Sequence, residues 1–251
     1  MSGRIDLVLS LFPGIGLLDM AFEEEGFCVV RGPDLLWGGD IRRFHPPAGV
    51  FGGVIGGPPC QAFSRLNNIP SIGARPKINL IPEFERCVAQ AEPTWFLMEN
   101  IPEAPLPIVI GYMVQAVLFR DHWVGGETMR QRRFSFGTRD GQPLAIEYLV
   151  LHRPNPLPAV TAAGGSLCPV RLGGSGKIKR RKGTNRRADW NDKTEAYFAQ
   201  ATQVMGLSAG WDLPGLKVKE KIRALGNGVP LAMGRAVARA VRTALERPAA
   251  G

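Results

Sequence analysis

Residues 5–12, "IDLVLSLF", run straight into "PGIG", and this junction constrains the chain more than any other stretch. The apolar run has the length and composition of a buried strand. "LLDMAFEEEGF" follows with helical apolar spacing and a closing Gly26, and "CVVRG" reads as a second strand. The alternation continues: "GVFGGVIGGPP" predicts a strand ending in a stiff turn, "IPEFERCVAQAEP" a helix, and "TWFLMEN" a strand. "IVIGYMVQAVLFR" reads as a further helix and "RRFSFGTRD" as a further strand. Such an order predicts an α/β fold around a mostly parallel sheet. In sheets of that kind ligands sit at the carboxyl ends of the strands. "PGIG", "PPCQ" and "EN" all fall at such ends.

The pattern breaks near residue 142. Regular periodicity disappears, Pro, Gly and Ser become frequent, and basic residues cluster between Lys177 and Arg187. This stretch is either a small irregular lobe or a long functional loop. Order returns with "KTEAYFAQATQVMGL" and ends in "PLAMGRAVARAVRTALE". In that last helix Leu231, Ala232, Val237, Ala240, Val241, Ala244 and Leu245 share an apolar stripe.

A chain of 251 residues, 45% of them hydrophobic, buries a substantial core. Its formal net charge of +9 favours a polyanionic partner such as nucleic acid. The four cysteines, Cys28, Cys60, Cys87 and Cys168, are scattered and form no CxxC pair, and the three histidines lack ligand spacing. Neither a metal site nor a disulfide framework is expected. No window approaches the ~20 apolar residues of a membrane span, and the first residues lack a signal-peptide pattern. A reducing cytoplasm and no membrane association are the expectation.

Each strand-end motif has a chemical reading beside a bland one. Gly14 and Gly16 let a backbone approach a ligand closely, or simply make a tight strand–helix turn. Asp34 suits ribose hydroxyls and Asp40 an adenine amino group, though either acid also suits a solvated turn. Cys60 stands on a Pro-Pro turn, a platform that a nucleophilic thiolate needs and a core cysteine does not. Glu99 ends an apolar strand, where a carboxyl group donates a proton or hydrogen bond, or else caps a turn. Arg130 and Arg132, two apart, are expected on one face of a strand, as anion or carbonyl ligands or as a solvated basic face. "RALGNGVP" reads as a Gly-Asn-Gly turn before the last helix, able to meet an anionic ligand end or to serve only as a turn.

"FPGIG", "PPCQ", "FLMENI", "RQRRFSFG" and "GNGVP" occur in one order, and that order and spacing resemble the cytosine-C5 DNA methyltransferase family. The resemblance covers about residues 5–140 and 190–245. It implies a Rossmann-like S-adenosylmethionine-dependent domain. Residues 1–141 would form its first part, 142–190 a small target-recognition region, and 191–251 the return to the catalytic domain. It implies Cys60 as the nucleophile toward C6 of cytosine, Glu99 at N3, and Arg130 and Arg132 holding the base carbonyl and nearby groups. Phe12, Pro13, Gly14, Gly16, Asp34, Asp40, Ile41, Pro59, Leu80, Asn227 and Val229 would line S-adenosylmethionine. Gln61, Ser64, Arg65, Lys177, Lys179, Arg180, Arg181, Lys182, Arg186 and Arg187 would meet DNA. Double-stranded DNA is the implied partner, with a cognate restriction endonuclease as a second candidate and a monomer as the expected state. Covalent addition suits this target, because C5 of cytosine becomes a nucleophile only after a thiolate adds at C6. The base must also leave the duplex.

The chain departs from the family at named places. Gly32, Pro33 and Asp34 stand where the family ends its second strand with Glu, and the link from there to "GGDI" is short. Thr128 stands where the family has Gln. A tRNA cytosine-C5 methyltransferase of the same fold and a catalytically inactive nucleic-acid-binding relative are the alternatives. Transfer of a modified one-carbon group is a third, and neither "PGIG" nor "GNGV" demands it.

Overall fold

The computed structural model describes residues 6–59, 78–149, 156–162 and 195–246. The first element is strand β1, Leu7–Leu11, and helix α1, Leu17–Glu24, follows it. Strand β2, Cys28–Arg31, strand β3, Gly53–Gly56, helix α2, Ile81–Ala91, and strand β4, Trp95–Asn100, come next. Strands β5, Met113–Arg120, and β6, Gln131–Thr138, complete one sheet in the order β2-β1-β3-β4-β6-β5. β1 is parallel to β2 and β3, and β3 to β4, while β6 runs antiparallel to β4. The α/β class and the mostly parallel sheet read from the sequence are therefore present. Helices α3, Glu195–Val204, α4, Val218–Asn227, and α5, Leu231–Glu246, follow.

Two compact units result. The first takes Met1–Phe119, Gln131–Glu147 and Gly234–Gly251, and holds nearly the whole sheet. The second takes Arg120–Arg130 and Tyr148–Met233. These bounds differ from breaks at 141 and 190, because a short excursion before β6 belongs with the later segment.

All six β4 residues are buried, as a strand between two others and between two layers must be. Alternation sends Trp95 and Leu97 one way and Phe96 and Met98 the other. Trp95 meets Phe22 of α1 at 6.1 Å and Phe27 at 5.7 Å between ring centroids. Phe96 meets Phe84 of α2 at 5.9 Å. Gly53 makes room for the indole: a Cβ there would lie 2.1 Å from Trp95. α5 from Gly234 on belongs to the first unit, where Arg235 pairs with Glu24 at 2.5 Å and Arg239 with Glu25 at 3.2 Å. The stripe read from sequence is largely buried, with Ala232 and Leu245 only half-buried and Met233 and Ala238 added to it.

Two expectations need correction. "IVIGYMVQAVLFR" is not a helix, and its second half is β5. Its residues suit either period, and pairing beside β6 decides in favour of strand. "GNG" is not a free turn either: Gly226 and Asn227 are the last residues of α4. The helix was missed because its exposed face, with Lys219, Glu220 and Arg223, dilutes the apolar signal. In the second unit Lys221 holds α4 to its surroundings, with its ammonium 2.6 Å from Asp212 and 5.4 Å from the centre of the Phe198 ring.

Candidate active site

The carboxyl ends of β1, β3 and β4 lie side by side, because these three strands are neighbours and parallel. Each end carries one of the sequence motifs.

After β1 the chain makes a turn that ordinary residues avoid. Phe12, Gly14 and Gly16 have φ of 56°, 55° and 79°. Phe12 holds that conformation despite its side chain, the kind of local strain that functional turns carry. The turn is pinned from outside. The Gly14 N–H donates to Asp34 Oδ2 at 2.9 Å, and Trp37 Nε1 donates to the Gly14 carbonyl at 2.7 Å. Asp34 Oδ1 accepts from the Leu36 N–H at 2.7 Å. Asp34 is thus a brace for the glycine turn and is half-buried. A Cβ built on Gly14 meets nothing within 4 Å, so the space over the turn is open. Pro13 is half-buried beside it.

Asp40 caps a short 3₁₀ turn, Ile41–Arg43, accepting from the Arg42 N–H at 3.1 Å and from its guanidinium at 2.8 and 2.9 Å. Those hydrogen bonds hold its carboxyl below the ordinary value. Ile41 is buried. Leu80 precedes α2, and its N–H donates to the Pro59 carbonyl at 3.4 Å, which ties the Pro-Pro turn to the helix start.

Beyond β3 the turn Gly57–Pro58–Pro59 leads to Cys60. Cys60, Gln61, Ser64 and Arg65 lie outside the described residues, as do Lys177, Lys179, Arg180, Arg181, Lys182, Arg186 and Arg187. The approach to Cys60 is fixed nonetheless. Buried Asn100, at the end of β4, donates from Nδ2 to the Pro58 carbonyl at 3.3 Å. Its Oδ1 accepts from the Ile101 N–H at 2.9 Å.

Glu99 precedes Asn100 and so faces the opposite way, toward Gly57. A Cβ on Gly57 would lie 3.0 Å from Glu99 Oε2, so the glycine lets the carboxylate sit against the turn. Glu99 lies directly across from Phe134 on β6. Two residues before Phe134 on the same face stands Arg132, the diagonal neighbour of Glu99. Its Nε is 2.7 Å from Glu99 Oε1, with side-chain exposures of 20% and 12%. The Arg132 head also donates to the Gln131 carbonyl at 2.8 Å. A nearly buried acid held by a nearly buried guanidinium thus borders the Gly57–Pro59 turn.

Arg130 is elsewhere. It precedes β6 and belongs to the second unit, so the expected same-strand pair with Arg132 does not form. It is buried, and one terminal nitrogen donates to the carbonyls of Val160 at 2.9 Å and Gly226 at 3.0 Å. Gly226 is in the last turn of α4, where a cation is favourable. Thr128, nearby in the same unit, donates from its N–H and hydroxyl to Asp121 Oδ2 at 2.9 and 2.8 Å. Asn227 and Val229 also belong to the second unit, the first exposed and the second buried.

Residues 39–105 match the family model for C-5 cytosine-specific DNA methylase, a span that runs from Gly39 through Cys60 and Glu99. Over this quarter of its length the chain is similar to cytosine-C5 DNA methyltransferases. It is 32% identical over 110 residues to the Type II methyltransferase M.FnuDI of Fusobacterium nucleatum, covering 38% of this chain and 32% of that one. With M.MthTI of Methanothermobacter thermautotrophicus it shares 29% over 181 residues, covering 60% of this chain and 52% of that one. The chain therefore spans between about a third and a half of the length of these curated relatives. Among solved structures, a prophage-encoded E. coli protein superposes with a TM-score of 0.63 at 16% identity, covering 96% of this chain and 99% of that one. That last likeness concerns the fold alone.

Sequence reasoning missed two residues that brace these turns: Trp37, which holds the Gly14 carbonyl, and Asn100, which holds the Pro58 carbonyl. Trp37 sits in a run, "LLW", that looks merely apolar yet is exposed. Asn100 was visible in "EN", but its bond to Pro58 is a contact between distant residues.

Proposed function

We propose that the chain methylates C5 of cytosine in DNA, with Cys60 adding to C6 of a base turned out of the duplex. The observation that carries this is the Glu99–Arg132 pair, nearly buried at the strand end beside the Gly57–Pro59 turn. Glu99 would meet N3 of the ring and stabilise the base once the thiolate has added, since a carboxyl in a water-poor niche interacts strongly with a developing charge. Arg132 fixes which way that carboxyl points. Asn100 holds the turn on which the thiol is delivered. After methyl transfer, loss of the C5 proton and expulsion of the Cys60 sulfur restore the aromatic ring.

The glycine turn after β1 fits a cofactor: its backbone is held in the left-handed region and the space over Gly14 is open. S-adenosylmethionine, when bound there, supplies the electrophilic methyl group. Phe12, Gly14 and Gly16 would line it, with Asp40, Ile41, Pro59 and Leu80 toward its adenine. The Type II relatives favour DNA and a restriction–modification setting.

The test is transfer of labelled methyl from S-adenosylmethionine to unmethylated DNA, with tRNA in parallel and Cys60→Ala as control. Label on DNA that disappears in Cys60→Ala is the expected result. Label confined to tRNA moves the substrate to RNA. Folded protein that binds no cofactor overturns the enzyme reading.

A further inference from the structure

The mechanism leaves one built cluster unused. Asp19 of α1 is fully buried, accepts from the Ser10 hydroxyl at 2.5 Å through Oδ1, and accepts from Arg31 Nε at 2.9 Å through Oδ2. Burial pushes the Asp19 carboxyl up, against those two hydrogen bonds. Arg31 ends β2, and its side chain is 53% exposed. Only Nε is occupied by Asp19; the terminal nitrogens make no hydrogen bond among the described residues. They lie against Gly16, where a Cβ would come 2.4 Å from one terminal nitrogen and 2.8 Å from Cζ. Gly16 therefore does two things: it takes a φ of 79°, and it leaves the guanidinium room to lie on the glycine turn.

We propose that Arg31 binds the carboxylate of the cofactor's amino-acid tail, and so selects for methyl donors that carry one; this rests on the cofactor reading above. A guanidinium anchored through Nε offers its outer edge in one fixed orientation. That edge matches a carboxylate in geometry and charge. S-adenosylmethionine has a single carboxylate, at the end of the molecule remote from adenine. Asp40, the acid assigned to the adenine, lies on a different turn from Arg31, so the two ends of the ligand have separate recognition groups. Asp19 is a positioning residue here: pinned by Ser10, it sets the angle of the arginine without reaching the ligand.

Calorimetric titration of the full chain tests this with two ligands. S-adenosylhomocysteine keeps the amino-acid tail, and 5′-methylthioadenosine keeps adenine, ribose and sulfur but lacks it. Arg31→Gln is expected to weaken S-adenosylhomocysteine about 10- to 100-fold, the worth of one charge-assisted hydrogen-bonded pair. It should leave methylthioadenosine unchanged. Arg31→Lys, which keeps the charge but not the fork, should fall between and carries the test if the glutamine variant does not fold. Equal losses on both ligands, or no loss on either, overturn the proposal. If the wild-type chain binds S-adenosylhomocysteine and the Arg31 variants bind it as tightly, this proposal fails and the methyltransferase reading stands. A wild-type chain that binds neither ligand overturns both.

Discussion

Two corners of one sheet each hold an acid–arginine pair, and the two pairs are set differently. At β1 and β2 a fully buried aspartate, Asp19, holds a half-exposed arginine, Arg31. At β4 and β6 a nearly buried arginine, Arg132, holds a nearly buried glutamate, Glu99. In the first corner the acid has both oxygens engaged and cannot reach outward, so the arginine is the group left to act. In the second, Glu99 faces the turn that leads to Cys60, and the arginine is its support. Burial separates the partners in the first corner only; in the second both are nearly buried, and Glu99 is set apart by lying against Gly57.

Five substitutions would break or sharpen that contrast. Glu99→Gln should cost the most, about 10²- to 10⁴-fold in methyl-transfer rate, the usual worth of a positioned acid–base group. Cofactor binding should survive, and single-turnover rates beside calorimetry separate the two effects. Arg132→Ala leaves Glu99 without its counter-ion in a nearly closed niche. Denaturant titration should show a loss of about 3 kcal/mol in unfolding free energy, as for other broken buried pairs.

Gly16→Ala and Gly14→Ala should differ although both glycines have positive φ. Each carries a backbone cost of about 1 kcal/mol. Only Gly16→Ala also displaces the Arg31 head, so only it should weaken S-adenosylhomocysteine several-fold in a titration.

Asp19→Asn should have the smallest effect on stability, within about 1 kcal/mol at neutral pH, because the lost ion pair is offset by relief of a buried charge. The sign with pH follows from the raised value of this carboxyl. A group whose folded pKa lies above its unfolded one binds more protons in the native state between the two values. Stability therefore falls as pH rises through that window, from the ordinary value near 3.8 up to the folded one. The asparagine variant should lack that fall, which thermal melts across mildly acid pH would show. If Asp19→Asn instead proves as costly as Arg132→Ala, the two corners are alike and the contrast fails.

Much of this was legible in the residues. β1, β3 and β4 are short apolar runs between turn formers, and such runs have few alternatives. Glu99 and Pro59 were readable because each ends such a run. β5 was misread because "MVQAVLFR" has a composition that suits either period, and only its place beside β6 decides. Arg130 and Arg132 looked equivalent at a spacing of two, but the strand begins between them, and the structure sends them to different units. Asp34 looked like a ligand acid. Its two oxygens are engaged by Gly14 and Leu36, and the first of those bonds joins residues far apart in sequence.

By itself the sequence determined the alternation of strand and helix, the strained glycine turn and the placing of chemistry at strand ends. These follow from local periodicity and from backbone rules that neighbouring residues obey whatever surrounds them. The tertiary structure alone decided which charged groups are spent on the fold and which are left for a ligand. That choice depends on burial and on partners far along the chain: Asp19 against Arg31, Asn100 against Pro58, and Glu99 against both Gly57 and Arg132.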